Sequence, residues 1–302
     1  MGFESRDYNQ GTSDHDMFRR MGSWSANAWL IGLCIGCFFV DGFTARLMGR
    51  EFFMGGLLRD WGAFTASDAI FGFQIWRLVS FQFLHAGLFH ILFNLVILFF
   101  LGRMLESYLG SKRYLAFYLL SGVGGGLFYL LLWAGGAITG NPNVPFLLQT
   151  GPDTPLVGAS AGIYGVLVAV AVIAPAQRIQ LLFPPITLTI RALALILIGI
   201  AVFMVMVGGP NDGGQAAHLG GAAIGYLLIK RSGLLNWADR FSPSAIQAGY
   251  TKGRYERRLK KEQAGREEID RILAKVSEQG LQSLSKREQK ILQQDTDRLR
   301  GD

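Results

Sequence analysis

Apolar residues in this chain come in long runs rather than in the short alternations of a half-buried strand. Six stretches of about twenty mostly apolar residues follow one another, approximately at 26–45, 86–105, 113–134, 157–175, 187–207 and 214–231. A bilayer core of about 30 Å needs roughly 20 such residues in a helix, so the pattern predicts an all-α polytopic membrane protein with six transmembrane helices, five or seven being the alternative counts. The fourth and sixth runs are rich in small residues, yet Ile163 to Ala174 and Ala216 to Ile229 hold no charge except a potential one on His218. The stretch before Ala26 is polar and mixed in charge, with Glu4, Arg6, Asp7, Asp14, Asp16, Arg19 and Arg20. A cleavable secretory signal would place its apolar segment nearer the start and finish in a small-residue site, so the first run is expected to stay as a membrane helix. The chain thus divides into a polar segment (1–25), a membrane domain (26–231) and a charged tail (232–302).

Composition sharpens this division. Of the 302 residues, 50% are hydrophobic and only 17% charged, whereas soluble domains average about 25% charged; composition disfavours a single water-soluble globule. From Gly233 onward the chain holds 15 of its 29 Lys and Arg and 11 of its 22 Asp and Glu. In that tail Ile269, Ile272, Leu273 and Val276 recur at helical spacing, and Gly280 with Ser283 to Ser285 reads as a turn, so two short helices without a catalytic pattern are expected, a mostly disordered tail being the alternative. The net charge of +7 raises the question of nucleic acid, which collects on basic faces. Here the basic residues are interleaved with acids or sit at the ends of apolar runs, where they anchor membrane helices, and no nucleic-acid partner is expected. Cys34 and Cys37 lie in one apolar run without a second Cys or His pair, so they read as packing residues and no metal or other cofactor is expected.

Orientation follows from the short loops. Arg103, Lys112 and Arg113, then Arg178 and Arg191, then Lys230 and Arg231 cluster at alternate junctions, while the loops at 135–156 and 208–213 hold no Lys or Arg. Both termini are therefore expected in the cytoplasm. The long first loop, about 46–85, carries four Arg and runs against this scheme. Its Trp61, Phe64, Phe71, Phe73, Trp76 and Phe81 suggest a segment lying in the membrane interface, where Arg can snorkel.

Strongly polar side chains inside a bilayer are costly and are functional candidates by default. The candidates are His90 and Asn94 in the second run, Ser160 in the fourth and His218 in the sixth. With the amino terminus inside, all four fall within about 5 to 14 Å of the same face at roughly 1.5 Å per residue. His90 and Asn94 share a helix face, as do Ser160 and Tyr164, while His218, Gly221 and Gly225 form one stripe that admits a close neighbour. Each residue alone has a bland reading as helix glue or a satisfied buried histidine; for the four in one layer that becomes the weaker alternative. Gly158 to Gly162 also matches the G-x-S-x-G elbow of soluble hydrolases, which requires a strand, a sharp turn and a helix, and no strand pattern precedes it. A serine hydroxyl becomes a nucleophile when a neutral imidazole takes its proton. No Asp or Glu lies at that depth, so the pattern is a dyad, with His90 and Asn94 available as donors to a developing oxyanion.

On these residues the chain resembles the rhomboid family of intramembrane serine proteases. The matching elements are Trp76-Arg77, the run His85, His90 and Asn94, Gly158-x-Ser160, Tyr164, and Ala217-His218-x-x-Gly221-x-x-x-Gly225, in order over about residues 26–231. The resemblance implies a six-helix bundle in which Ser160 is the nucleophile and His218 the general base. His90, Asn94 and the Ser160 backbone amide would form the oxyanion hole, Tyr164 would pack on the histidine, and Trp76-Arg77 would belong to a lateral first loop. Gly102 and Glu106 fall where the family often has a structural glycine and a glutamate, and Glu106 is expected to hydrogen-bond at the cytoplasmic end. The tail resembles a helical extension found after some bacterial rhomboid domains. The implied substrates are membrane-spanning proteins entering from the lipid bilayer, and the implied home is a bacterial inner membrane. The competing reading is a catalytically silent relative that binds transmembrane clients, although such proteins usually lack one of the dyad. A solute transporter would instead show charged or broken midplane helices in repeated halves.

Overall fold

The long apolar runs become helices that pack by burying small residues. A computed structural model of the chain describes residues 25–141, 144–181, 185–209, 211–241 and 267–300. The polar segment before Ser25 and the part of the tail at 242–266 lie outside the described residues. The apolar runs form α1 (Ala26–Leu47), α2 (Leu88–Leu109), α3 (Ser111–Thr139), α4 (Ser160–Ile173), α5 (Ile190–Val207) and α6 (Asp212–Lys230). Among the described residues, α1, α2, α3 and α5 are long and apolar enough to cross a membrane. The protein is therefore a mostly helical membrane protein with four candidate spans. A short antiparallel hairpin, β1 (Arg178–Gln180) with β2 (Thr187–Thr189), paired Arg178 to Thr189, follows α4. The all-helical expectation fails at this point: β-branched Thr187 and Thr189 favour extended backbone.

The other two helices, α4 and α6, sit at the centre. In α4, Ala161 to Ile163 and Gly165 to Val170 are all buried, and α6 packs most extensively against α3 and α4. By contrast α5 leaves Leu195, Ile196, Ile200, Phe203 and Met206 exposed, the outward apolar surface of a helix whose solvent is lipid. A helix enclosed by other helices tolerates small and polar residues that a lipid-facing one does not.

One end of the bundle is closed by the first loop. Its short helices Leu57–Gly62, Ala66–Ile70 and Arg77–Ser80 are tied to α1 by Asp41, a buried carboxylate that the sequence reading did not single out. Asp41 Oδ1 accepts from the backbone N–H of Gly56 at 3.0 Å and of Arg59 at 2.8 Å, and its Oδ2 lies 3.6 Å from the Arg59 guanidinium. Arg59 in turn donates to the His85 carbonyl at 2.7 Å. Arg77 does not snorkel. It is buried and donates to the carbonyls of Ala63 at 2.6 Å and Asp60 at 3.0 Å and to Gln74 Oε1 at 2.7 Å. Of the loop aromatics read as interfacial, Trp61, Phe71, Phe73 and Trp76 are exposed, whereas Phe64 and Phe81 are core residues, which contradicts that reading for these two. The loop has an inner face that must cover the ends of α3 and α4.

At the opposite end, about 24 Å from His90 along α2 at 1.5 Å per residue, Glu106 caps α1. It accepts from the N–H of Ala26 at 2.7 Å and of Asn27 at 3.2 Å and from the Ser111 hydroxyl at 2.6 Å. Helix α2 contains a π-helical turn, Leu98–Gly102. Asn27 Nδ2 donates to the Leu98 carbonyl there at 3.0 Å, and the Tyr114 hydroxyl donates to Asn27 Oδ1 at 2.6 Å. A Cβ at Gly102 would overlap both Asn27 and Tyr114, so its structural expectation is met. Beyond α6 a 3-10 segment, Ser232–Phe241, buries Leu235 and Ala238 in the same core, and Arg113 pairs with Asp239 at 2.5 Å.

The chain separates into two compact units between Asp239 and Arg240. In the second, a helix at 267–279, a turn at Leu281–Ser283 and a helix at Lys286–Arg300 match the two helices and intervening turn read from the tail. Ser285 and Glu288 form a reciprocal cap: Ser285 N–H donates to Glu288 Oε2 at 2.8 Å and Glu288 N–H to Ser285 Oγ at 3.3 Å. Lys275 reaches the same carboxylate at 3.1 Å.

Two predictions follow from these anchors. Glu106→Ala removes the acceptor of three donors at a buried helix start and should lower stability by about 2 to 3 kcal/mol, read as a lower unfolding midpoint in detergent. Glu288 is pulled from 4.5 to about 2 by the Ser285 N–H and hydroxyl and by Lys275. A depressed carboxylate stabilises the tail fold above its unfolded value and stops doing so as pH falls through the folded one. Hydrogen exchange in 286–300, corrected for intrinsic rate, should therefore accelerate between pH 4.5 and about 2, and Glu288→Gln should abolish that acceleration.

Candidate active site

Ser160 is delivered to its position by backbone constraints on the residues before it. Leu156 pairs with Phe64 in an isolated antiparallel bridge, N–H to carbonyl at 3.0 and 2.8 Å, and Gly158 N–H donates to the Phe81 carbonyl at 2.9 Å. Gly158 then turns with φ at +132°, a conformation that L side chains rarely adopt, and Ser160 opens α4. A single extended residue and a sharp turn do precede this serine and a helix follows it, although the sequence offered no strand pattern. The bridge is made with Phe64, nearly a hundred residues away, so no local alternation announces it.

His218 reaches Ser160 because α6 lies almost against the backbone of α4. A Cβ at Gly221 would strike the Ala161 carbonyl and one at Gly225 would strike Gly165. On the other side of α6, Gly220 meets Gly124 and Gly125 of α3. This close approach puts His218 Nε2 2.7 Å from Ser160 Oγ. The Tyr164 ring stacks on the imidazole with centroids 4.1 Å apart and planes 9° apart.

The remaining polar residues come from α2 across a cleft of about 410 Å³ lined by His90, Asn94, Gly158, Ser160 and His218. Ala86 N–H donates to His90 Nδ1 at 3.4 Å, which leaves Nε2 as the protonated nitrogen of a neutral ring. That Nε2 lies 2.8 Å from where a Gly158 Cβ would be, a point 3.5 Å from Ser160 Oγ. Asn94 Nδ2 donates to the His90 carbonyl at 2.7 Å, so one of its two N–H groups is engaged within its own helix and one remains for the cleft. His85 is not on the cleft wall. It is buried behind His90, ring centroids 5.2 Å apart, and burial, then the neighbouring His90, pulls it down to about 3. It is a neutral support for the His90 ring. Trp76 and Arg77 are also off the cleft: Trp76 stacks on Trp61 and donates to its carbonyl at 3.3 Å, and both residues hold the first loop together.

Two polar residues near this layer were missed. Asp41 was visible as a lone carboxylate in the first apolar run. Gln215, three residues before His218, places Oε1 3.1 Å from His218 Nδ1; its signal was a polar residue on the histidine's face of an otherwise Gly- and Ala-rich helix.

Comparison with known proteins agrees with this architecture. Residues 72–231, just over half the chain, match the Rhomboid domain model, and the chain belongs to the rhomboid family. Residues 254–295 match a family of unknown function, DUF6576. The mitochondrial RHOMBOID-like protein 12 of Arabidopsis thaliana is 27% identical over 233 residues, 76% of this chain and 63% of that protein. Inactive RHOMBOID-like protein 8 of the same plant is 41% identical over 78 residues, 26% of this chain and 20% of that protein. Rhomboid-like protease 3 of Toxoplasma gondii is 39% identical over 70 residues, 22% of this chain and 27% of that protein. The chain thus spans less than two thirds of the length of each of these relatives.

Gly158→Ala tests the turn before Ser160. A side chain there meets both an unfavourable φ and the His90 ring, so the variant should lose on the order of 1 to 3 kcal/mol, seen as a lowered unfolding midpoint, while Gly140→Ala, at a positive φ in open space, should lose less.

Proposed function

We propose that the chain is an intramembrane serine endopeptidase acting on transmembrane proteins, with Ser160 as nucleophile and His218 as general base. The observation that carries this reading is the 2.7 Å approach of Ser160 Oγ to His218 Nε2 in a cleft that His90 and Asn94 also line. Ser160 Oγ attacks the scissile carbonyl carbon as His218 Nε2 takes its proton. The oxygen that becomes negative is met by the Ser160 backbone N–H at the start of α4, where the helix dipole favours an anion, by His90 Nε2–H and by the free Asn94 N–H. Collapse breaks the C–N bond, with His218 returning the proton to the leaving amine, and a water activated by the same imidazole hydrolyses the acyl-enzyme.

In this reading all six helices α1 to α6 cross the bilayer. Helix α4, with 14 residues, rises only about 21 Å, short of a core of about 30 Å; enclosed by its neighbours, it starts below the surface and sets the serine at depth. Phe93 and Ile97 of α2 flank the cleft beside His90 and Asn94, which supports entry of an apolar substrate helix from the lipid side. Lys112, Arg113, Arg178, Arg191, Lys230 and Arg231 lie at the end opposite Ser160 and support cytoplasmic termini. The membrane is read as a bacterial inner membrane from the tail's resemblance to extensions of bacterial rhomboid domains.

The second reading is a catalytically silent client binder, favoured by the similarity to a relative named inactive. Purified chain should cleave a model transmembrane substrate, with activity falling at acid pH as an imidazolium ceases to accept the serine proton. Ser160→Ala and His218→Ala should abolish cleavage without unfolding the protein, and Asn94→Ala should raise the barrier by up to about 3 kcal/mol. Binding of the substrate without cleavage by wild type would establish the silent reading instead.

A further inference from the structure

A histidine that acts as a base needs its lone pair on the right nitrogen. A neutral imidazole carries one N–H, and only the tautomer protonated at Nδ1 leaves Nε2 free to accept from a serine. In a triad a buried carboxylate selects that tautomer. Among the described residues no carboxylate hydrogen-bonds to His218, and the Tyr164 ring stacked on its face fixes the plane without distinguishing the two nitrogens. The group at Nδ1 is Gln215 Oε1, 3.1 Å away.

Resting on the peptidase reading, we infer that Gln215 is the positioning residue that selects the working tautomer of His218, accepting from Nδ1–H and thereby turning the Nε2 lone pair onto Ser160. The geometry is imposed by α6: residues three apart share a face, and Gln215 is partly buried in the turn preceding His218. Its amide stands in the place of a carboxylate but carries no charge, so it orients the ring without adding an anion to an apolar interior, where an ionised group is costly. The other groups facing the imidazole leave this role open. Ser160 and Tyr164 come from α4 and His90 from α2; α3 approaches this turn with Gly125 at Ala217 and Tyr129 at Gly213; the ionisable residue of α5, Arg191, is at its far end. Burying Gln215 beside a single acceptor-seeking ring nitrogen also explains why a long polar side chain stands in the stretch Gly213 to Gly221.

The test uses the full chain in detergent with a model transmembrane substrate, comparing wild type, Ser160→Ala, Gln215→Leu and Gln215→Glu. Gln215→Leu keeps the bulk and removes the acceptor; kcat should fall roughly tenfold or more with KM within about twofold, since the ring loses its tautomer preference and not its place. Gln215→Glu keeps the acceptor and adds charge; it should retain most of the rate while the acidic limb of the pH profile moves to higher pH, because a carboxylate favours the imidazolium. Nitrogen NMR of isotope-labelled histidine should show His218 protonated at Nδ1 in the wild type and as a tautomer mixture in Gln215→Leu. A Gln215→Leu variant with near-normal kcat, or a Gln215→Glu limb that does not move, overturns the assignment; if the leucine variant fails to fold, the glutamate limb decides. Should Ser160→Ala cleave as well as wild type, or neither cleave, it is the peptidase reading that fails, and the NMR tautomer still decides the role of Gln215: Nε2 protonation in the wild type would end it.

Discussion

The contact of α6 with α4 is the constraint on which the site depends. Two helices whose side chains interdigitate stand 8 to 10 Å apart, and side chains at 221 and 225 would hold α6 off α4 at such a spacing. Glycine at positions 221 and 225 removes the intervening Cβ atoms, and α6 settles onto the carbonyls of Ala161 and Gly165. Gly124, Gly125 and Gly220 do the same toward α3. In lipid, where the hydrophobic effect does not drive helices together, such backbone contact is a main source of association. The small residues that lower the hydropathy of α4 and α6 are thus what places their polar groups 2.7 Å apart.

Carboxylates lock both ends of this bundle, and each does so through backbone amides. Glu106 satisfies the open N–H groups of α1, while Asp41 satisfies those where the chain turns into the first loop. Neither group is in the cleft, yet each bears on it. The link Asp41 to Arg59 to the His85 carbonyl fixes the loop that ends at His85, and His85 backs the ring of His90. A carboxyl group buried in an apolar helix is tolerable here because every one of its partners is a donor held by the fold.

The cleft joins elements of different burial. Its floor is α4 and α6, central and buried; its wall is α2, whose Phe93 and Phe100 face outward; its rim is the loop segment at 155–158, held by hydrogen bonds to Phe64 and Phe81. Loop segments carry function when a scaffold pins them, and here two backbone hydrogen-bond partners from the first loop do the pinning.

Much of this was legible in the order of residues. Long apolar runs specify helices because backbone groups in lipid must be satisfied within their own segment, and helical period puts His90 with Asn94 and His218 with Gly221 and Gly225 on shared faces. The turn in the tail and the hydrogen-bonding role of Glu106 were likewise readable, since capping and breaking residues act locally. What the order of residues did not contain were relations between distant segments. The bridge from Leu156 to Phe64, the inward turn of Phe64, Phe81 and Arg77, the anchoring of the first loop by Asp41 and the engagement of one Asn94 N–H by its own helix depend on which surfaces meet. Periodicity states which residues share a face, but only packing decides what that face touches, because the closest contacts arise where side chains are missing and one backbone rests on another.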